Sequence, residues 1–194
     1  METIDRHKQN ITLEIIEKGC YKAAQAFGKM LDKNIVCNAP NVKVSTLPGL
    51  KAKGNEIHLL TTEVIGQIQA KSYLIFSEKE AEEIVRYCSK NGMGSVDFEM
   101  SIEILKEIDN ILSATVITEI SNHFQLKLYG DVPFHFKGTS KYIEKVISQE
   151  INEKQDKYNQ VLFVAHTNFN IENNLHFKPY FFWIFSDEFM KSAC

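Results

Sequence analysis

Glu107 and Asn110 stand three residues apart inside the stretch FEMSIEILKEIDNILSATVITEISNHF, Phe98 to Phe124. At roughly 100° per residue that stretch reads as one long helix. Phe98, Ile102, Leu105, Ile108, Leu112, Val116 and Ile120 form its apolar stripe, the face expected to pack. Glu107 and Asn110 point away from that stripe, with Glu103 and Ala114 beside them, and a separation of one turn makes their head groups neighbours. A carboxylate and an amide flanked by a small alanine make an exposed face that another molecule can approach closely. This face is the candidate site.

Other chemistry finds no support in the residues. The histidines His7, His58, His123, His135, His166 and His176 show no HxxxH ligand spacing, and no GxxxxGK[ST], GxGxxG or GxSxG motif occurs. Cys20, Cys37, Cys88 and Cys194 form no CxxC pair and read as reduced thiols of a cytoplasmic protein, with neither a disulfide frame nor a metal site. The net charge of −3 supplies no basic footprint for nucleic acid. No apolar run approaches the length of a membrane span, and the polar start METIDRHKQN is not a signal peptide. The 194 residues, 44% hydrophobic, suffice for one domain with a sizeable core.

The elements that must position the pair follow in order. A first helix is predicted over Thr3 to Leu31, with Leu13, Ile16, Cys20, Ala23, Ala24, Phe27 and Leu31 inside and Gly19 a weak point. An extended piece, Ile35 to Val44, is broken by Pro40, and Leu47-Pro48-Gly49 forms a turn. Glu56–Thr62 and Gly66–Phe76 read as a hairpin whose second strand is half-buried, alternating from Ile68 to Phe76. Ser77 with Glu80 forms a capping box that opens a second helix. Beyond the long helix come an extended stretch, Gln125–Phe136, and a charged surface helix, Thr139–Asp156. Two strands, Gln160–Phe169 and Phe177–Phe185, and a short helical tail complete the chain.

A repeat underlies this order. A shift of 93 residues lays Glu14 and Glu17 on Glu107 and Asn110, Phe27 and Leu31 on Ile120 and Phe124, and Pro40 on Pro133. A shift of 109 lays Tyr73–Glu78 on Phe182–Asp187, the 16 extra residues corresponding to the Thr139–Asp156 segment. The halves fall at about residues 1–92 and 93–194 of a single domain.

With these residues in place, the chain resembles the CheC/CheX/FliY group of bacterial chemotaxis phosphatases. The signature of that group is Asp or Ser, three residues, Glu, two residues, Asn, twenty-two residues, Pro. Glu107, Asn110 and Pro133 fit without a gap, with Glu103 at the opening position. In the first half Glu14 and Pro40 fit, but Glu17 replaces the Asn and Asn10 opens the motif, so that second site is degenerate. A second Glu-x-x-Asn, Glu119 and Asn122, lies near the apolar stripe and has Lys145 where the Pro should fall.

The resemblance implies an α+β fold, a pseudo-twofold duplicated CheC-like domain. Its antiparallel sheet would be covered by two long signature helices, their signature faces outward. It implies a phosphatase acting on the aspartyl phosphate of a CheY-type response regulator. Asn110 would orient the attacking water, since an amide offers one acceptor and two donors. Glu107 would pair with a lysine of the receiver, and magnesium would come from the receiver's own acidic pocket, with no cofactor or metal ligand in this chain. A CheD-type adaptor and a second copy of the chain are the further partners of the group. The alternative readings are a non-catalytic module that sequesters a receiver or CheD, and a structural piece of the flagellar switch.

Overall fold

The computed structural model describes residues 6–37, 41–44, 50–90, 97–158, 163–172, 177–186 and 189. In chain order the elements are α1 (Arg6–Leu31), β1 (Ile35–Cys37), β2 (Asn41–Val44), a 3-10 turn (Leu50–Lys53), β3 (Glu56–Gly66), β4 (Ala70–Ser77) and α2 (Glu78–Lys90). They continue with α3 (Phe98–Phe124), β5 (Leu128–Gly130), β6 (Phe134–Thr139), α4 (Ser140–Tyr158), β7 (Phe163–Ile171) and β8 (Tyr180–Phe185). All eight strands join one antiparallel sheet in the order β1-β7-β8-β4-β3-β5, with β2 also on β7 and β6 also on β3. The fold is therefore α+β, as expected. The Pro40 break, the turn at residues 47–49 and most of the tail lie outside the described residues.

The helices form where burial and caps agree. On α1, Ile16, Cys20, Ala23, Ala24, Phe27 and Leu31 are buried, while Leu13 is only half-buried. Gly19 is no weak point: a Cβ there would sit 3.1 Å from the Cα of Val116, so glycine lets α1 and α3 approach closely. The Asp97 carboxylate caps α3 by accepting from the Met100 N–H at 2.8 Å. At the other end Gln125 turns left-handed (φ 54°) and donates its N–H to the Ser121 carbonyl. The Ser77–Glu80 capping box forms on α2, with the Ser77 N–H donating to Glu80 at 2.7 Å and the Glu80 N–H to Ser77 Oγ at 3.3 Å.

Two expectations about packing change. Phe98 does not join the buried stripe of α3; it is 64% exposed at the first turn, where the helix has only begun to meet its neighbours. The sheet is covered on both faces, not by the long helices alone. Leu74 and Phe76 of β4 pack beneath α1, α2 and α3, while Tyr73 and Ile75 face a second core built by Ile143, Ile147 and Ile151 of α4. Strand β4 is consequently buried on both sides, and the charged segment predicted as a surface helix is the lid of that second core. Gly66 ends β3 and does not begin β4, because its φ of 136° belongs to the turn.

The repeat is legible in the pairing. The shift of 93 carries the start of β1 onto that of β5 and the start of β2 onto that of β6. Asn41 pairs with His166 as Phe134 pairs with Thr61, so Thr61 and His166 are equivalent at a shift of 105, not 109. Of the 16 extra residues, 12 therefore belong to the α4 segment and 4 to the β7–β8 hairpin, which corrects their assignment to α4 alone. Tyr73, whose equivalent at a shift of 109 is Phe182, also pairs with Phe182, and their rings stack 4.7 Å apart at 2°. The pseudo-twofold axis passes through this pair, between β4 and β8.

Candidate functional site

Glu107 and Asn110 lie mid-way along the unbroken helix α3, and both side chains are exposed. Glu103 and Ala114 are exposed beside them, and Glu103 accepts from Lys106 Nζ at 2.8 Å. Below this face the helix is anchored on Leu105, Ile108, Leu112 and Val116, all fully buried. The buried Ser113 and the exposed Thr118 return their hydroxyls to the Asn110 and Ala114 carbonyls at 3.2 and 2.7 Å. The result is a carboxylate and an amide one turn apart on a rigid rod, facing outward.

Two motif relatives of this pair are arranged differently. Glu119 is drawn into ion pairs with Lys18 (3.2 Å) and Lys22 of α1, and the Lys22 hydrogen bond holds its carboxyl below the usual range. It is a strut between the long helices. On α1, Glu14 is exposed and Glu17 half-buried. Partial burial and then a hydrogen bond to Glu17 push the Tyr21 hydroxyl up, so the Glu17 carboxylate already has a partner one turn away.

Pattern reading passed over two groups near the site. Asp109 is fully buried between α3 and β3; its Oδ2 accepts from Thr62 Oγ1 at 2.6 Å, and its Oδ1 has no hydrogen-bond partner. Burial pushes this carboxyl up to about 7, against the opposing pull of the Thr62 hydroxyl. The signal was present, because 100° per residue places Asp109 within the apolar stripe. The second group joins β3, β6 and α2. His58 Nε2 donates to Glu78 Oε2 at 3.0 Å, which leaves His58 Nδ1 to accept from His135 Nε2 at 3.0 Å. Lys137 bonds the same Glu78 carboxylate at 2.7 Å. Burial lowers both imidazoles, His135 to about 4 with His58, Lys106 and Lys137 adding to the effect. Both rings are therefore neutral at neutral pH, and the cluster ties two strands to a helix. His135 does lie in a strand.

Among the described residues no group of three His, Cys, Asp or Glu side chains could hold a metal ion, and no helix is long and apolar enough to cross a membrane. Cys20 and Cys88 are free thiols.

Comparison with solved structures places this architecture. Thermotoga maritima FliY superposes with a TM-score of 0.67 at 14% identity, over 97% of this chain and 94% of that one. The chemotaxis protein CheX from Desulfovibrio desulfuricans gives 0.57 at 12% identity, over 88% and 98%. This chain has the CheC/CheX/FliY fold. Helicobacter pylori FliM, in its complex with FliG, shares that fold too, at a TM-score of 0.63 and 10% identity over 97% and 99%. No protein-family profile and no curated protein sequence matches the chain. At these identities the CheC-like likeness establishes the fold alone, and function rests on the residues of the site.

Proposed function

We propose that this CheC-like chain acts in chemotaxis or motility signalling as a cytoplasmic phosphatase of the aspartyl phosphate on a CheY-type receiver domain. One observation carries the reading: Glu107 and Asn110 are both exposed on one unbroken helix, while the competing Glu119 is tied into ion pairs. Hydrolysis of an acyl phosphate asks for a water held in line with phosphorus and for compensation of charge. The Asn110 amide holds the water through its acceptor and its donors. The new bond joins the water oxygen to phosphorus as the bond from phosphorus to the aspartyl oxygen breaks. The electron pair leaves on the aspartate carboxylate, and the water proton passes to the departing inorganic phosphate. Glu107 docks against a lysine of the receiver, a charge-assisted contact of about 1.5–3 kcal/mol. Magnesium belongs to the receiver's acidic pocket. Glu17 in the first half places a second anion where a water-holding amide is needed, so the Glu14/Glu17 face is inactive in this scheme.

The lifetime of the acyl phosphate on CheY-type receivers, with and without the protein, tests the proposal. Acceleration is expected, reduced about a hundredfold by Asn110→Ala, the usual loss for one positioned hydrogen-bonding group. Glu14→Ala should leave the rate unchanged. A second reading, a binding module without catalysis, draws on the fit of FliM in its FliG complex, whose TM-score of 0.63 lies between those of FliY and CheX. Receiver or CheD binding with an unaltered phosphate lifetime would select it.

A further inference from the structure

The turn of α3 that carries Glu107 and Asn110 outward carries Asp109 inward, onto β3. Thr62 Oγ1 bonds its Oδ2 at 2.6 Å and its Oδ1 has no hydrogen-bond partner, although the side chain is fully buried. Two other buried hydroxyls of this interface are engaged elsewhere. Ser113, one turn along α3, bonds the Asn110 carbonyl at 3.2 Å, and Ser72 of β4 bonds the Thr62 carbonyl at 3.5 Å. Gly130 of β5 closes the space from the side, since a Cβ there would stand 2.9 Å from Thr62 Cγ2 and 3.2 Å from Ile117 Cδ1.

The fold does not need a carboxyl at this position. At the shift of 93 that lays Glu14 and Glu17 on Glu107 and Asn110, Asp109 falls on Ile16, which is 2% exposed on α1. An aliphatic side chain thus seats the twin helix with no polar group to satisfy. As a neutral acid Asp109 leaves one unmatched polar atom in the interface. As an anion it leaves a buried charge with a single hydrogen bond, a far larger cost. The charged groups of the surrounding elements pair with others. Lys18 and Lys22 of α1 hold Glu119, Lys106 of α3 holds Glu103, and Lys71 of β4 holds Glu63 and Glu150. His58 of β3 and Lys137 of β6 hold Glu78 of α2, His135 of β6 bonds His58, and Tyr129 of β5 is 61% exposed. Burial, opposed by the Thr62 hydroxyl alone, sets the hold of this carboxyl on its proton.

We propose that Asp109 positions the Glu107–Asn110 face: with its proton it seats this turn of α3 on β3 through Thr62, and without it the turn loosens together with the face it carries. The seat is a property of the chain whatever its activity; its consequence for catalysis rests on the phosphatase reading.

Amide hydrogen exchange on the full chain tests the seat. The amides of Ile111, Leu112 and Ser113 bond back to the carbonyls of Glu107, Ile108 and Asp109, and Lys18, Gly19 and Cys20 are their equivalents on α1. An opening that exposes the carboxyl becomes easier as pH rises from its ordinary 3.8 toward about 7, and levels off above. Protection of the α3 amides should therefore fall about fiftyfold between pH 5 and pH 7 while that of their α1 equivalents holds. Asp109→Asn should abolish the fall. Thr62→Val removes the one group that favours the anion and should move the levelling-off to higher pH. No fall, or a fall that survives Asp109→Asn, overturns the proposal. So does an equal fall in α1, the sign of whole-chain unfolding. On a CheY-type receiver, the ratio of wild-type to Asp109→Asn acceleration of acyl-phosphate loss should drop from pH 6 to pH 8; a constant ratio overturns the positioning role. Absence of acceleration by either protein at every pH defeats the phosphatase reading instead, and exchange alone then decides the seat.

Discussion

Replacing Asp109 by asparagine should make the protein more stable at alkaline pH and remove one component of its pH dependence. In the folded chain this carboxyl titrates near 7, against an ordinary value of 3.8. The folded state therefore binds the proton more tightly than the unfolded state does. Stability from this group is fully present below pH 3.8, falls by about 1.4 kcal/mol per pH unit as pH rises toward 7, and is flat above. The whole interval amounts to about 4 kcal/mol, a ceiling because an unfolded chain retains some burial. Asparagine has the same shape, keeps an acceptor for Thr62 Oγ1 and carries no charge. The assay is urea unfolding at several pH values, read through the single tryptophan, Trp183, which is fully buried. His58 and His135, both held below their usual value, titrate in the opposite sense below pH 6.5. The quantity to plot is thus the difference between variant and wild type, in which their contributions cancel. That difference should grow in favour of Asp109→Asn from pH 5 to pH 7 and then level off. A difference that does not change with pH refutes the assignment of a buried, proton-binding carboxyl.

Three further outcomes are expected. Lys53→Met strands the buried Glu80 carboxylate, which Lys53 Nζ approaches at 2.8 and 2.9 Å; it should cost about 3–5 kcal/mol in urea unfolding, with Glu80→Gln restoring part of the loss. Gly19→Val drives a side chain into Val116 and should lower stability by about 1–3 kcal/mol. Glu119→Gln removes only ion pairs to exposed lysines, so its effect should stay below about 1 kcal/mol and acyl-phosphate lifetime should not change, in contrast to Glu107→Gln.

Local signals proved readable and non-local ones did not. The long helix was legible from Phe98 to Phe124 because its apolar period persists for its whole length, and Ser77 with Glu80 marked a helix start through contacts three residues apart. The outward direction of Glu107 and Asn110 followed from the same period. Asp109 was overlooked because a carboxylate inside a stripe reads as an interruption until Thr62, 47 residues earlier, is seen to meet it. The His58–His135 contact spans 77 residues and leaves no trace in spacing. Likewise, nothing in the pattern of Ile143, Ile147 and Ile151 says which side of a sheet they cover; that depends on Tyr73 and Ile75 projecting from the far side of a strand whose Leu74 and Phe76 face α1 and α3.

The stacked Tyr73–Phe182 pair sits where each half meets the other at the same point of its own plan. In an assembly of two separate identical halves, that spot would be occupied by a residue and its own copy, and no change could be made to one without the other. Joining the halves into a single polypeptide lifts that restriction. It is what allows a tyrosine to face a phenylalanine here, an amide to be kept on one long helix while a carboxylate stands on the other, and an extra helix to be added beside one half only.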